Sequence, residues 1–348
     1  MNKLHPFQTP SVLRATQLPL PDRDTTPDAL PLLTLEHPML IDPILEGYQT
    51  LYALNKIDAL HWQGYLNVAQ HKTHIQIFEP KQAPQGTVWL LHGYLEHSGI
   101  YQPIIEELIE QGFSVITYDL PGHGLTEGPI ASIQEFSVYQ HILKEISVWA
   151  ADQQQHLPKP WLGIGQSTGG AIWIDHILTA ASQRRAPMIE RALLLSPLVR
   201  PAKSAWWHNS VGLSIIKKVK RNVPRTFKRN NHNPEFLRFV RLTDPLQPRV
   251  MSLEWILALA KWMIYIEKLP ACRIPMWVAQ GAKDETVDWR YNIEFIRKKF
   301  RLQTLLILEE GSHQLINERT DIRAALTGLI PAFLSANDIK RYYYDSES

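Results

Sequence analysis

The sequence predicts an α/β protein with a mostly parallel central sheet that is covered by helices on both faces. Short apolar runs recur along the chain and alternate with segments of helical spacing, as expected of strands buried on both faces of a sheet. Polar side chains of catalytic type directly follow several of these runs, and in such sheets ligands bind at the carboxyl ends of the strands. The 348 residues, 45% of them hydrophobic, are sufficient for one large core.

The first 60 residues are rich in proline and show no firm hydrophobic period. We interpret residues 1–60 as an N-terminal extension that carries one helix, over about 44–54. Residues 61–66 and 74–78 alternate polar and apolar side chains, which predicts two paired strands at the start of the main body.

The main body is predicted to cover residues 61–198 and 270–335, and a C-terminal tail follows over 336–348. Its buried strands are predicted over 87–91, 113–118, 161–164, 191–195, 276–279 and 304–308. Helices are predicted over about 104–109 and 133–151.

Residues 199–269 interrupt this alternation of strands and helices. They show helical patterns and no strand run, so we expect an insertion that lies over the sheet. Its segment 253–266 contains Glu254 and Lys261, which indicates an amphipathic or buried helix rather than a membrane span.

Composition and charge limit the function classes. The net charge of +2 argues against a general polyanion binder. The single cysteine, Cys272, excludes an internal disulfide framework and is compatible with a reducing compartment. No apolar run approaches the roughly 20 residues of a membrane span, and residues 1–14 contain no secretory signal pattern. We therefore expect a cytoplasmic protein.

Residues 165–169 read Gly-Gln-Ser-Thr-Gly and lie between an apolar run and a helical pattern. A serine hydroxyl is a poor nucleophile unless a sharp strand-to-helix turn presents it to a base. The flanking glycines remove side chains that would clash in such a turn. The following helix directs its amide dipoles at the turn, where an oxyanion would form. This context predicts Ser167 as a catalytic nucleophile.

Acyl transfer also requires a base and a carboxylate that orients the base. Asp284 follows a predicted strand, and the turn at Gly281 brings it nearer to the strand end than Glu285 and Asp288, its competitors in the same loop. His313 follows the last predicted strand. Serine, aspartate and histidine occur in the chain order expected for a nucleophile on a strand-to-helix turn. We predict Asp284 as the orienting acid and His313 as the base.

Isolated residues of these types usually have other roles, because a loop aspartate is often a turn former and a loop histidine is often merely solvated. His92, His97 and His123 compete with His313 by composition. We assign these three to structural roles, as hydrogen-bond partners of the loop backbone. What favours His313 is its position after the final strand.

A tetrahedral oxyanion needs preorganised backbone amides. One is expected at Thr168, the residue after the nucleophile, and the second in the loop after the strand 87–91. Tyr94, in the sequence His92-Gly93-Tyr94, is the candidate for the second amide. The alternative interpretation of His92-Gly93 is a simple turn that ends the strand.

Three segments carry a family resemblance: residues 92–101 (HGYLEHSGIY), 118–124 (YDLPGHG) and 165–170 (GQSTGG). Together with the loop 311–318 they resemble the α/β-hydrolase superfamily, and within it the monoacylglycerol lipase and lysophospholipase group of serine hydrolases. The resemblance extends over about residues 62–334. It implies an α/β-hydrolase fold, the Ser167, Asp284 and His313 triad, the Tyr94 and Thr168 oxyanion donors, and a lid at about 199–268.

Three positions depart from the pattern of that group. Gln166 stands where a histidine is frequent, Thr168 where a methionine is frequent, and Leu95 where a glycine is common. These residues line or flank the expected pocket, so they bear on the identity of the substrate rather than on the chemistry. Relatives with an aspartate nucleophile, such as epoxide hydrolases and dehalogenases, are disfavoured because position 167 is serine.

The insertion carries a strongly basic stretch, since no acidic residue occurs between Glu190 and Glu235. Its cationic residues are Arg191, Arg200, Lys203, Lys217, Lys218, Lys220, Arg221, Arg225, Lys228 and Arg229. Its neighbouring apolar residues are Trp206, Trp207, Val211, Leu213, Ile215 and Ile216. We hypothesise peripheral contact with the anionic inner face of a membrane. The alternative is a solvated face beside pocket-lining residues, and nucleic-acid binding is disfavoured.

The sequence therefore predicts a serine carboxylic-ester hydrolase that acts on single-chain acyl lipids through an acyl-enzyme intermediate. We expect no metal and no organic cofactor, because the triad chemistry needs none and no ligand spacing suggests one. The alternatives are an acyltransferase, a hydrolase of another acyl ester or amide, and a non-catalytic lipid-binding protein on the same fold.

Overall fold

The computed structural model describes residues 18–23, 26, 31–36, 43–202, 220–227 and 229–336. Helix α1 (Pro43–Leu51) and a 3-10 turn (Leu54–Lys56) precede the sheet. The following elements are β1 (Ala59–Val68), β2 (His71–Pro80), β3 (Thr87–Leu91), α2 (Gln102–Glu110), β4 (Ser114–Tyr118), α3 (Ser137–Ala151), β5 (Trp161–Gln166), α4 (Thr168–Ser182) and β6 (Ala192–Leu195). The second half contains β7 (Asn222–Pro224), α5 (Pro234–Leu242), β8 (Val250–Ser252), α6 (Leu253–Lys268), β9 (Pro275–Gly281), α7 (Trp289–Lys299), β10 (Arg301–Leu308) and α8 (Thr320–Leu334).

Eight of these strands form one sheet in the order β1-β2-β4-β3-β5-β6-β9-β10. The pairs from β4 through β3, β5, β6 and β9 to β10 are all parallel. Only β2 runs against its neighbours, β1 and β4. This architecture confirms the predicted α/β class with a mostly parallel sheet.

The strand order reverses between β3 and β5, because β4 lies beyond β3 on one side and β6 lies beyond β5 on the other. The loops that leave the two central strands therefore diverge and open a crevice at their carboxyl ends. The residues after β3 and β5 face each other across this crevice, which positions the site described below.

The sheet separates two apolar cores. All five residues of β3 are buried, and they alternate between the two faces. Trp89 and Leu91 pack with α3, α4, α6 and α7, whereas Val88 and Leu90 pack with α1, α2, α5 and α8. A strand covered on both sides needs an unbroken apolar run, which explains why β3 was readable from the sequence.

The predicted strands of the main body are all present, and the hairpin of β1 and β2 is longer than predicted. The helix predicted over 133–151 begins only at Ser137, and the one predicted over 44–54 ends at Leu51. Helix α1 buries Tyr48 and Leu51 in the same core as α2, so this part of the N-terminal segment packs on the body. The division of the chain into extension, body, insertion and tail stays a prediction.

The expectation that the insertion contains no strand was wrong. Strands β7 and β8 pair in an antiparallel ladder from Asn222–Ser252 to Pro224–Val250. Each strand has three residues, too few to produce a period, and Pro224 lacks the amide that a longer ladder would need.

The predicted apolar helix of the insertion is present as α6 and buries Trp255, Leu259 and Trp262 against the body. Across the described ranges, no helix has the length and apolar character that crossing a membrane requires. Residues 203–219, residue 228 and the tail beyond 336 lie outside the described residues, and with them much of the basic stretch.

Candidate active site

Ser167 lies on the sharp turn between β5 and α4. Its backbone adopts φ 51° and ψ −108°, a conformation that non-glycine residues rarely occupy. A Cβ atom on Gly169 would lie 2.2 Å from the Leu91 carbonyl oxygen, and one on Gly165 would lie 2.4 Å from the Gly169 carbonyl carbon. Both positions therefore require glycine, because the start of α4 packs directly on β3 and β5.

The structure brings Ser167, His313 and Asp284 into one hydrogen-bonded chain. His313 Nε2 lies 2.9 Å from Ser167 Oγ, and His313 Nδ1 lies 2.8 Å from Asp284 Oδ2. An ionised carboxylate can only accept, so Nδ1 carries the proton and Nε2 accepts from the serine hydroxyl. All three side chains are buried, with Ser167 7% exposed and His313 6% exposed.

Asp284 is held by four donors at the carboxyl end of β9. Gln280 Nε2 donates to Oδ2 at 3.0 Å, next to the bond from His313. The Thr286 and Val287 amides donate to Oδ1 at 2.8 and 3.2 Å. These bonds fix the carboxylate so that Oδ2 faces the imidazole.

The two competitors of Asp284 lie elsewhere. Glu285 is exposed. Asp288 accepts from the Tyr291 amide at the start of α7 and forms an ion pair with Arg200. Asp288 is therefore a helix cap, and only Asp284 contacts His313.

The loop that carries His313 is anchored from two sides. Gln166 Nε2, from the residue before the serine, donates to the His313 carbonyl at 2.8 Å. The buried Glu318 accepts from the Ser312 amide at 3.1 Å and lies 3.0 Å from Nδ1 of His232 in the insertion. The imidazole is thus positioned by the backbone on both sides of it.

The two ionisable partners shift each other's pKa. Burial opposes the charged form of Asp284, but the charge and hydrogen bond of His313 outweigh it and lower the pKa of Asp284. Burial also opposes the charged form of His313, but Asp284 outweighs it and raises the pKa of His313 above 6.5. Each partner therefore stabilises the charged form of the other.

The loop after β3 approaches Ser167 through Gly93. A Cβ atom on Gly93 would lie 3.3 Å from Ser167 Cβ and 2.9 Å from Glu96 Oε2. The Gly93 amide donates to Glu96 Oε2 at 3.1 Å, so that amide is already engaged. Leu95 adopts φ 62°, the region that favours glycine, at the position where the resembling group commonly has one.

Tyr94 and Thr168 each adjoin a residue of the serine turn or of the loop that contacts it. Thr168 is the first residue of α4, and amides in the first turn of a helix have no acceptor within that helix. Tyr94 follows Gly93 directly and is the next amide along the loop. Both backbone positions are compatible with donors that converge on the serine.

The side chain of Tyr94 connects this loop to the insertion. Its ring stacks on Trp255 of α6 with centroids 3.6 Å apart and planes 9° apart. Its hydroxyl donates to the Ala131 carbonyl at 2.9 Å and accepts from the Ser252 amide at 3.0 Å. The position of Tyr94 therefore depends on the start of α6.

The three competing histidines lie outside the chain of Ser167, His313 and Asp284. His92 donates from Nδ1 to the Gly93 carbonyl, and its Nε2 accepts from the Leu120 amide. His123 donates from Nδ1 to the Pro121 carbonyl. For His97 the expected backbone contact was wrong, because its Nε2 lies 2.9 Å from Oδ2 of Asp244, a residue of the insertion.

Sequence reasoning missed Gln166, Gln280 and Glu96 as supporting residues. Gln166 is the last residue of β5 and directly precedes Ser167, and Gln280 is the penultimate residue of β9, four residues before Asp284. Closeness to a candidate site residue along the sequence was therefore the available signal. Glu96 lies in the loop motif of residues 92–101. Its role as acceptor for the Gly93 amide depends on its burial, which the sequence does not show.

An imidazole between a hydroxyl and a carboxylate can accept the hydroxyl proton and return it to a leaving group. This arrangement is suited to acyl transfer.

Comparison with known proteins places the chain in a family. The family described as serine aminopeptidase, S33, matches residues 82–320, which is more than half of the chain. The matched range begins before β3 and ends at the start of α8, so it includes six of the eight strands of the main sheet (β3 to β6, β9 and β10), the insertion and the serine, aspartate and histidine loops.

Curated relatives include lipid-cleaving enzymes by name. Human monoglyceride lipase is 26% identical over 257 residues, covering 70% of this chain and 80% of the human protein. Bacillus subtilis phospholipase YtpA is 27% identical over 212 residues, covering 59% and 78%. An uncharacterized abhydrolase domain-containing protein of Dictyostelium discoideum is 24% identical over 70% of this chain, which spans only 26% of that protein.

Solved structures share the fold. A soluble variant of monoglyceride lipase from Saccharomyces cerevisiae, in complex with a substrate analog, superposes with a TM-score of 0.64 at 16% identity. The match covers 78% of this chain and 94% of the yeast chain.

Proposed function

Because this chain belongs to the hydrolase family described as serine aminopeptidase, S33, we propose that it is a serine hydrolase that cleaves carboxylic esters of single-chain acyl lipids. The observation that carries the proposal is the hydrogen-bonded chain from Ser167 Oγ through His313 to Asp284. These three hydrogen-bonded side chains lie at the carboxyl ends of the strands, beside the crevice between β3 and β5.

The proposed reaction proceeds through an acyl-enzyme. His313 Nε2 takes the proton of Ser167 as its oxygen attacks the ester carbonyl, and Asp284 stabilises the imidazolium. The Tyr94 and Thr168 amides donate to the tetrahedral oxyanion. His313 then protonates the leaving alcohol, the carbon–oxygen bond breaks, and an ester to Ser167 remains. Water, deprotonated by the same imidazole, releases the fatty acid and regenerates the serine.

The names of the relatives support the lipid substrate. The human relative is a monoglyceride lipase and the Bacillus subtilis relative is a phospholipase. Both names describe esters of long acyl chains, so acylglycerols and lysophospholipids are the first substrates to examine. The family description, serine aminopeptidase, favours amide hydrolysis as a second candidate, because the same residues can attack an amide carbonyl.

Labelling and hydrolysis together test the proposal. We expect a fluorophosphonate probe to label the wild-type protein at Ser167 and the Ser167→Ala variant to remain unlabelled. Rates should be measured on monoacylglycerols, lysophospholipids, short p-nitrophenyl esters and aminoacyl p-nitroanilides. Higher kcat/KM on acyl lipids supports the lipid esterase, and preferred cleavage of anilides supports the aminopeptidase.

Ser182→Ala is a matched control, since Ser182 ends the same helix, is not buried, and its hydroxyl donates to the local Thr179 carbonyl. We expect its labelling and rates to equal those of wild type. A wild-type protein that resists the probe and hydrolyses none of the substrates would be a non-catalytic binder.

We also propose peripheral contact with anionic membranes through the insertion. Its described and exposed cations between 220 and 252 include Lys220, Arg221, Arg229, Arg241 and Arg249, against Glu235 and the buried Asp244. Each suitably placed cation contributes about 1 kcal/mol at an anionic surface. Liposome flotation tests this: binding to anionic but not to neutral vesicles is expected, and equal binding to both would refute it.

A further inference from the structure

A cavity of about 210 Å³ lies between the insertion and the loops that carry the candidate active site. The loops contribute Glu96, Ile100 and Gln314, the last of which follows His313 directly. The insertion contributes residues that include Arg225, Arg229, Arg241 and Gln247. A Cβ on Gly93 would lie 2.9 Å from Glu96 Oε2 and 3.3 Å from Ser167 Cβ, so Gly93 separates the Glu96 wall of the cavity from Ser167.

The charge of this cavity is positive, since three arginines line it against one glutamate. The Glu96 carboxylate is engaged by the Gly93 amide and the Tyr101 hydroxyl, and burial raises its pKa. Arg225 makes its described hydrogen bonds from Nη1 alone, all to neutral oxygens of Leu95, Gln247 and Pro248. Burial lowers the pKa of Arg225 to about 10, so it still carries its charge at neutral pH.

Two buried side-chain amides of the cavity wall have N–H donors that are available to a ligand. Gln247 Nε2 and Gln314 Nε2 have no hydrogen-bond partner among the residues that the structure describes. Their orientation is fixed, because Gln247 Oε1 accepts from Arg225 and Gln314 Oε1 accepts from the Asn317 amide. Buried donors normally have acceptors, so both amides call for a ligand rich in oxygen.

We infer that this cavity is a subsite for an anionic, phosphate-bearing head group of the acyl-lipid substrate. Guanidinium groups bind phosphate oxygens in a bidentate manner, and neutral amide donors complete such a site. A neutral glycerol head group would offer these arginines no negative charge beyond those of Glu96 and Asp244, which act on Arg225. The inference rests on the proposed ester hydrolysis and specifies its substrate class as lysophospholipids in which the phosphate is the charged group, such as lysophosphatidates.

Two short substrates that remain monomeric test the subsite without a membrane: 1-hexanoyl-lysophosphatidate and 1-hexanoylglycerol. We expect wild-type kcat/KM to be at least tenfold higher for the phosphate ester. In the double variant Arg229→Gln, Arg241→Gln the ratio of the two kcat/KM values should fall at least tenfold. Both arginines are exposed at the cavity rim, so their replacement leaves the core intact.

Arg238→Gln is the matched control, because Arg238 is an exposed residue on the same helix as Arg241 and does not line the cavity. Its substrate ratio should equal that of wild type. A wild-type ratio near one, or a double-variant ratio equal to that of the control, overturns the subsite while ester hydrolysis stands. A protein that neither reacts with fluorophosphonate nor hydrolyses either ester refutes the proposed function, and the subsite falls with it.

Discussion

Burial and a neighbouring charge act in opposite directions on the pKa of His313. A buried imidazole is normally neutral, because burial penalises the charged form. Here the Asp284 carboxylate at 2.8 Å outweighs burial, and Glu96 adds to the same effect. The imidazole therefore holds a proton up to a higher pH than a free histidine does. This matters for a base, which must be unprotonated before it can accept the serine proton.

The first prediction concerns the pH profile of ester hydrolysis. Since the pKa of His313 is raised, kcat/KM should rise with pH along an acid limb centred above about 6.5. Asp284→Asn removes the charge that raises this pKa, so the acid limb should move to lower pH. The rate should fall by about 10⁴-fold, because the imidazolium loses its counter-charge and its preferred tautomer. The measurement is kcat/KM from about pH 5 to 9.

Glu285→Gln is the control for that experiment, because Glu285 is the exposed neighbour of Asp284 in the same loop. Its profile should overlay that of wild type. An acid limb at the same pH in Asp284→Asn and wild type would show that Asp284 does not set the basicity of His313.

At the scale of elements, the turn between β5 and α4 is held by close backbone contact. The second prediction compares two glycine-to-alanine changes. In Gly169→Ala the new methyl group would meet the Leu91 carbonyl at 2.2 Å, so the helix start must move away from β3. We expect several degrees of loss in Tm and a loss of hydrolysis of at least tenfold.

Gly328→Ala is the opposite case, because Gly328 lies exposed within α8 and nothing is within 4 Å of its added Cβ. Alanine has the higher helix propensity, so this variant should gain about 0.5–1 kcal/mol and keep full activity. Thermal unfolding monitored by circular dichroism distinguishes the two. Equal Tm changes in both variants would contradict the packing argument.

The strands of the body were predictable because a strand buried on both faces needs a continuous apolar run, as in β3. Strands β7 and β8 were not, since three residues cannot display a period. The start of α3 was mispredicted for a different reason. Apolar residues from 133 onward suggested a helix, but Ile133 and Phe136 pack in the core before the helix begins at Ser137.

At the scale of the whole molecule, Arg191 connects the beginning of β6 to the end of the last helix. Its guanidinium donates to three carbonyls at the end of α8 and beyond, those of Phe333, Leu334 and Ala336, at 2.6–3.0 Å. The final carbonyls of a helix lack partners within it, and a cation there complements the helix dipole. Arg191 was expected in the basic stretch, but the structure uses it inside the body.

The third prediction follows from this contact. Arg191→Met should destabilise the protein by about 2–4 kcal/mol, because three buried or half-buried carbonyls lose charged donors. The midpoint of urea unfolding measures the loss. Arg185→Met, at an exposed arginine whose side chain binds the exposed Gln183, should change stability by less than about 0.5 kcal/mol. Equal midpoints for the two variants would refute the structural role of Arg191.

A second long-range connection joins three parts of the chain at Asp244. Its carboxylate accepts from Tyr52, shortly after α1, at 2.7 Å and lies 2.9 Å from Nε2 of His97 in the loop after β3. Asp244 itself belongs to the insertion. Burial opposes the charged form of His97, but the Asp244 charge outweighs it and raises the pKa of His97.

The fourth prediction is a pH-dependent loss of stability in Asp244→Asn. A histidine whose pKa is raised in the folded state stabilises that state fully at pH values below its pKa in the unfolded chain, about 6.5. This contribution to stability disappears as the pH rises through the pKa of the folded state. The free energy of unfolding should therefore differ more between wild type and variant at pH 6 than at pH 9. A difference that is constant over this range would show that His97 does not titrate with folding.

Residue types, spacing and order were sufficient to nominate Ser167, Asp284 and His313, because each directly follows a readable strand. The contacts of Asp244 were not predictable, since Tyr52 and His97 are 192 and 147 residues away in sequence. Glu96, Gln247 and Gln314 have the same limitation: their chemistry depends on which distant donors and acceptors folding brings near. Sequence patterns report local geometry, and such pairs are set by the packing of the insertion on the body.

The left-handed backbone at position 167 serves the proposed reaction but lowers the stability of the folded protein. A non-glycine residue in such a conformation costs about 1–3 kcal/mol, and every folded copy carries that cost whether or not it ever meets a substrate. Glycine at the same position would relieve the backbone strain and give a more stable protein that has no catalytic activity. Heat resistance and turnover thus compete at one position, and selection for either one alone would move the other in the opposite direction.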